Sequence, residues 1–159
     1  MTGSAAVRTT DDAVVAGTPA PEPKVGARHT GWLTLPLAEP SARTARLHTR
    51  TALREWRVLD EVVDCAELVV SELVTNAVRH TVGCCCVDLR LWMDAPVSLV
   101  IAVRDDDPRM PCPAGTPDDT AESGRGLTIV AGMCQRHGCA LAHDHKTMWA
   151  ALALRGTAL

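Results

Sequence analysis

The sequence predicts an α+β fold: a two-layer α/β sandwich with a mixed, mostly antiparallel sheet and its helices on one face. Three observations lead there. Segments of strand and helix character come in groups (strand, two helices, two strands, long loop, helix, two strands), where a doubly wound sheet would alternate them. Residues 60–80 carry an unbroken helical period. Residues 85–105 and 139–154 each read as two strands around a short turn.

Residues 1–30 hold Thr, Ala, Gly, Pro and charge, with Pro19, Pro21 and Pro23 alternating. Such a segment cannot bury a core and is expected to be a disordered tail. Trp32-Leu-Thr-Leu-Pro-Leu37 is a short first strand. Ser41 is a candidate N-cap for a helix to about Val58, with Ala42, Ala45, Leu47, Ala52, Leu53 and Trp56 on its apolar side. Asp60 caps a second helix that runs to about His80. Cys85–Met93 and Val97–Asp105 follow as strands joined by Asp94-Ala95-Pro96.

Residues 106–123 hold four prolines and no periodicity, and loops of that length inside a domain are usually functional or disordered. Gly124 to about Arg136 reads as a helix opened by glycines, with Leu127, Ile129, Val130 and Met133 apolar. Cys139–His143 and Thr147–Leu154 close the chain as a hairpin around Asp144-His145-Lys146.

Composition narrows the classes. The length of 159 residues suits a single domain, placed over 31–156. With no Phe, no Tyr and four Trp, the core must rest on Val, Leu and Ala. Arg outnumbers Lys by 14 to 2, which reads as genomic base composition, and a net charge of −3 gives no basic footprint for nucleic acid. No segment is long enough to cross a bilayer and no signal-peptide order opens the chain, so a cytoplasmic location is expected. Seven cysteines, three of them consecutive at 84–86, form neither a disulfide framework nor a paired zinc-ligand pattern.

The segment Glu67-Leu-Val-Val-Ser-Glu-Leu-Val-Thr-Asn-Ala-Val-Arg-His80 interrupts an apolar helix with Glu72 and Asn76, one turn apart on one face. A carboxylate one turn from an amide oxygen can serve a hard cation and a proton transfer together. The same stripe also fits an ordinary amphipathic helix facing solvent. Val100-Ile-Ala-Val-Arg-Asp105 is a buried strand that delivers a carboxylate at its end. Asp105 is thus either a turn residue or an acceptor for an exocyclic amine such as that of adenine. Glu122-Ser-Gly-Arg-Gly-Leu127 sets glycines at a helix N-terminus, where backbone N–H groups and the helix dipole favour an anion.

Together these segments resemble the Bergerat-fold ATP-binding superfamily of gyrase, histidine kinases and MutL. Within it the chain resembles the small stand-alone anti-sigma-factor serine/threonine kinases. The resemblance covers roughly residues 32–154. Glu72-Leu-Val-Thr-Asn76-Ala-Val-Arg-His80 is similar to the family's N box, Val103-Arg-Asp105 to the start of its adenine box, Gly124-Arg-Gly126-Leu127 to its glycine box, and Lys146-Thr147-Met-Trp149 to its final strand motif.

The resemblance implies ATP and Mg2+ as cofactors. Asn76 would be the magnesium ligand and Glu72 the general base on a substrate hydroxyl. Asp105 would read the adenine amine with support from Thr147. Gly124, Gly126 and Leu127 would form the phosphate cradle, with charge from Arg125 and residues 107–123 as the lid. It also implies protein partners, a sigma factor or an anti-anti-sigma antagonist of the STAS type; homodimers are common in the group. The chain departs from the family where Asp105 is followed by Asp-Asp-Pro-Arg-Met-Pro, without the adenine box's two glycines, and where His145 replaces a glycine. Asp106 and Asp107 add negative charge beside a polyanion unless they face solvent or hold the cation. A nucleotide-gated or nucleotide-independent module that sequesters its partner without catalysis is the competing expectation. His80 serves the C-terminal helix dipole, and Asp118 and Asp119 are expected as solvated lid charges.

Overall fold

The computed structural model of the protein describes residues 18–27, 29–94, 98–109 and 125–154, with 125–127 as backbone only. Strand β1 spans Thr30–Pro36, helix α1 Ser41–Glu55, helix α2 Asp60–His80, strand β2 Cys86–Asp94 and strand β3 Ser98–Asp105. Helix α3 spans Arg125–Met133, strand β4 Arg136–Leu141 and strand β5 Lys146–Ala153. The expected elements are all present and in order. The remainder of the turn after Asp94, and Val97, lie outside the described residues.

The sheet has the order β1-β2-β3-β5-β4, and every neighbouring pair is antiparallel. The expected mixed sheet is therefore wholly antiparallel, and the connections explain why. Helices α1 and α2 run out and back, so β2 starts where β1 finishes; Leu37 N–H donates to Cys85 O at 2.9 Å there. The single helix α3 returns the chain so that β4 runs in the direction of β3. Strand β5 inserts between those two, and no parallel pair forms.

All three helices contribute to the core on one sheet face, where Leu35, Val87, Leu89, Leu91, Leu99, Ile101, Val103, Met148, Ala150 and Leu152 meet Ala45, Leu53, Val63, Val70, Leu73, Val130 and their neighbours. Strands with period two give that face its odd-numbered residues in β2 and β3 and its even-numbered residues in β5. On the other face Trp92, Val100, Ala102, Trp149 and Ala151 form a second apolar cluster. Two tryptophans left bare there would be an exposed patch of the kind monomers avoid. Residues 18–27, counted with the tail on composition, cover part of it: Ala20 packs on the cluster, Trp149 Nε1 donates to Thr18 O at 3.4 Å, and Lys24 pairs with Asp94 at 2.8 Å.

Helix ends differ from expectation by one residue at the start and three at the finish. Pro40 and Leu59 are the N-caps, and Ser41 and Asp60 are the first helical residues. Ser41 Oγ instead donates to Pro36 O, tying α1 to the end of β1. Helix α1 stops at Glu55 because Arg57 takes the left-handed conformation (φ 59°), with Val58 N–H donating back to Leu53 O at 2.9 Å. Glycine usually marks such a stop, and none is present here. No helix among the described residues is long and apolar enough to cross a membrane.

Candidate functional site

Helix α2 has three edges. One is buried on the sheet. A second meets α1, where Arg50 Nη2 donates to Glu67 Oε2 at 2.7 Å and Arg46 Nη1 donates to Ser71 Oγ. Glu67 is only 8% exposed, so the buried carboxylate of this helix is Glu67 and it is matched by a guanidinium. The third edge carries Cys65, Glu72 and Asn76, which share a face by their helical spacing. Cys65 lies beside Cys134, just past α3, and burial with this neighbour pushes the Cys134 thiol up to about 12. The Glu72/Asn76 stripe is therefore the edge turned toward α3, away from α1.

Glu72 and Asn76 are both partly buried, and neither side chain is held by a hydrogen bond among the described residues. Asn76 Nδ2 is buried without a partner. A buried amide N–H left unmatched costs about 1–3 kcal/mol. The stripe is thus neither a solvated face nor a structural pair, and it has the character of a site that waits for something polar. An amide oxygen with a carboxylate one turn away suits a hard cation such as Mg2+.

Strand β3 delivers Asp105 to the helix-covered face, in step with Leu99, Ile101 and Val103. Asp105 is 2% exposed. Directly across the ladder in β5 stands Lys146, also 2% exposed. Its Nζ donates to Asp105 Oδ1 at 2.8 Å and to Asp107 O at 3.0 Å. Asp107 N–H donates to the same Oδ1 at 3.0 Å. Asp105 Oδ2 is buried and accepts from nothing. The turn role and the acceptor role coexist in this one side chain: Oδ1 organises the strand end, and Oδ2 remains open.

Thr147 does not join Asp105. It pairs with Arg104 across the ladder and lines a cavity on the opposite sheet face with Arg90, Trp92, Ala102 and residues 20–23. The expectation that its hydroxyl supports the adenine contact is corrected by strand parity: Lys146, in step with Met148, Ala150 and Leu152, takes that place. The sequence signal was available in those apolar neighbours, read one residue earlier.

Asp107 neither faces solvent nor lies beside a free cation position. It is 3% exposed, and its carboxylate accepts from Arg109 Nε at 2.8 Å, Arg109 Nη2 at 2.6 Å, Arg109 N–H at 3.1 Å and Val82 N–H at 3.1 Å. It fastens the segment after β3 to the end of α2. The Arg109 guanidinium holds this carboxyl far below the usual carboxylate range, against the opposing effect of burial. A depressed folded value means stability that is present above the unfolded pKa, near 4, and is lost as pH falls below it. The stability advantage of the native chain over Asp107→Asn, measured by urea unfolding, is therefore expected to shrink between pH 6 and pH 3. An advantage that stays constant over that range would rule the clamp out.

Gly124 lies outside the described residues, as do 110–123 of the expected lid with Asp118 and Asp119. Arg125, Gly126 and Leu127 form the first turn of α3. The six described cysteines are all free thiols. Comparison with curated proteins gives no match. A crystal structure of the RsbU and RsbW domains of Rv1364c from Mycobacterium tuberculosis is similar in fold, with a TM-score of 0.55 and 20% identity across 77% of this chain. The chain spans 32% of the length of that protein. Residues 35–148, from the end of β1 into β5 and including Glu72, Asn76 and Asp105, match the histidine kinase-like ATPase domain, and the chain belongs to that family.

Proposed function

We propose that this domain binds ATP with Mg2+ and transfers the γ-phosphate to a serine or threonine of a protein antagonist of the STAS type, as in the anti-sigma-factor kinases it resembles. The carrying observation is the Glu72/Asn76 stripe, whose two polar side chains have no partner among the described residues although Asn76 Nδ2 is buried. Asn76 would hold the metal, which supplies charge neutralisation of the phosphates. Glu72 would accept the proton of the attacking hydroxyl. The first turn of α3 offers unpaired N–H groups to the phosphates, helped by Gly124, Gly126, Leu127 and the charge of Arg125. Phosphoryl transfer needs mostly positioning and charge neutralisation, and these groups are of the right kind for both. The setting would be the cytoplasm, with a sigma factor as the regulated partner and a homodimer as the working form.

A second reading, nucleotide-gated capture of a sigma factor without catalysis, is favoured by one observation: Asp105 already carries Lys146 as a counter-ion. Labelled ATP, Mg2+ and candidate antagonist proteins separate the two when the native chain is run beside Asn76→Ala. Label transfer that Asn76→Ala abolishes supports the kinase. Metal-dependent ATP binding without transfer supports the gated module, and no binding at all refutes both.

A further inference from the structure

Resting on the reading of this site as a nucleotide site, we propose that Lys146 and Asp105 act together as a donor–acceptor pair for the edge of a purine base. Lys146 thereby makes the site accept 6-oxo as well as 6-amino purine nucleotides. Asp105 Oδ1 is filled from within the protein by Lys146 Nζ at 2.8 Å and Asp107 N–H at 3.0 Å. Asp105 Oδ2 is buried and unmatched. An ammonium has three N–H donors. Two of those on Lys146 go to Asp105 Oδ1 and Asp107 O, leaving the third without a partner among the described residues. A buried acceptor and a buried donor therefore remain side by side, each costly to leave unmatched.

A carboxylate alone presents acceptors only. It welcomes the exocyclic amine of adenine and repels the carbonyl oxygen that replaces that amine in hypoxanthine. The pair behaves differently. With adenine, Oδ2 takes an amine N–H and Nζ donates to the neighbouring ring nitrogen. With hypoxanthine, Nζ donates to the carbonyl oxygen and Oδ2 takes the ring N–H. Both bases meet one donor and one acceptor. Lys146 is one of only two lysines in a chain with 14 arginines, and an arginine fork would not fit the space that one ammonium fills between two strands.

Equilibrium binding of Mg-ATP and Mg-ITP to the native chain, and to Lys146→Met, tests the pair. The native chain is expected to bind the two nucleotides within about threefold of each other. Lys146→Met is expected to favour ATP by about tenfold or more, because the carbonyl then faces an uncompensated acceptor. Thermal melting checks that the variant is folded. If it is not, the native ratio still decides: a native chain that prefers ATP by about tenfold overturns the proposal and leaves the ATP reading intact. A folded variant with the native ratio does the same. Native protein that binds neither nucleotide removes the ATP reading and this inference with it.

Discussion

Asp105→Ala is expected to destabilise the fold by about 3–5 kcal/mol, because it strands the Lys146 ammonium in the core. Both partners of this pair are almost fully enclosed, with side chains 1% and 2% exposed. Lys146 Nζ would keep only Asp107 O as a partner, and Asp107 N–H would lose its acceptor. Breaking a buried pair from one side is far more harmful than removing both charges, since the survivor keeps its desolvation penalty. The double variant Asp105→Leu, Lys146→Met is therefore expected to recover most of the loss. Urea unfolding of the native chain, the single variant and the double variant measures both effects. A single-variant loss below about 1 kcal/mol, the worth of an exposed ion pair, would mean that the pair is solvated in solution.

The pair is also where legibility in the sequence ends. Periodicity carried the architecture well. Helix α2 could be placed from residues 60–80 because its apolar positions repeat at 3.6, and β3 from the run Val100-Ile-Ala-Val. Asp105 stood out because a carboxylate closes that run. What local pattern does not contain is register between distant strands. Nothing in residues 98–105 says that Lys146, 41 residues on, lies opposite Asp105. The assignment of Thr147 failed for that reason: a one-residue slip in a strand exchanges the two faces.

Asp107 escaped for a similar cause. Its partner Val82 N–H lies 25 residues earlier, and an acidic residue after a strand ordinarily reads as a solvated turn. The helix ends went astray on a local feature. Arg57 adopts a conformation that sequence reading reserves for glycine, so α1 seemed to run on. The cover over Trp92 and Trp149 was missed because composition speaks of a segment's own core and says nothing of a patch elsewhere that needs covering.

Glu72→Gln is expected to lower phosphoryl transfer by about 10²–10⁴-fold while leaving Mg-ATP affinity within about threefold of native. The substitution keeps shape and one hydrogen-bonding oxygen and removes the capacity to take a proton. Glu72 lies on the α2 edge turned toward α3, and no hydrogen bond among the described residues holds its side chain, so the fold has little to lose from the change. Thermal melting should therefore match the native chain. Asn76 would behave in the opposite way, because a metal ligand acts on binding before any hydroxyl arrives. The contrast gives each residue its own readout: Asn76→Ala moves nucleotide affinity, and Glu72→Gln moves the rate at saturating nucleotide. Equal loss of affinity in both variants would place Glu72 in the metal site and leave no general base on α2. Unchanged transfer in Glu72→Gln would leave positioning and charge neutralisation as the whole of the catalysis.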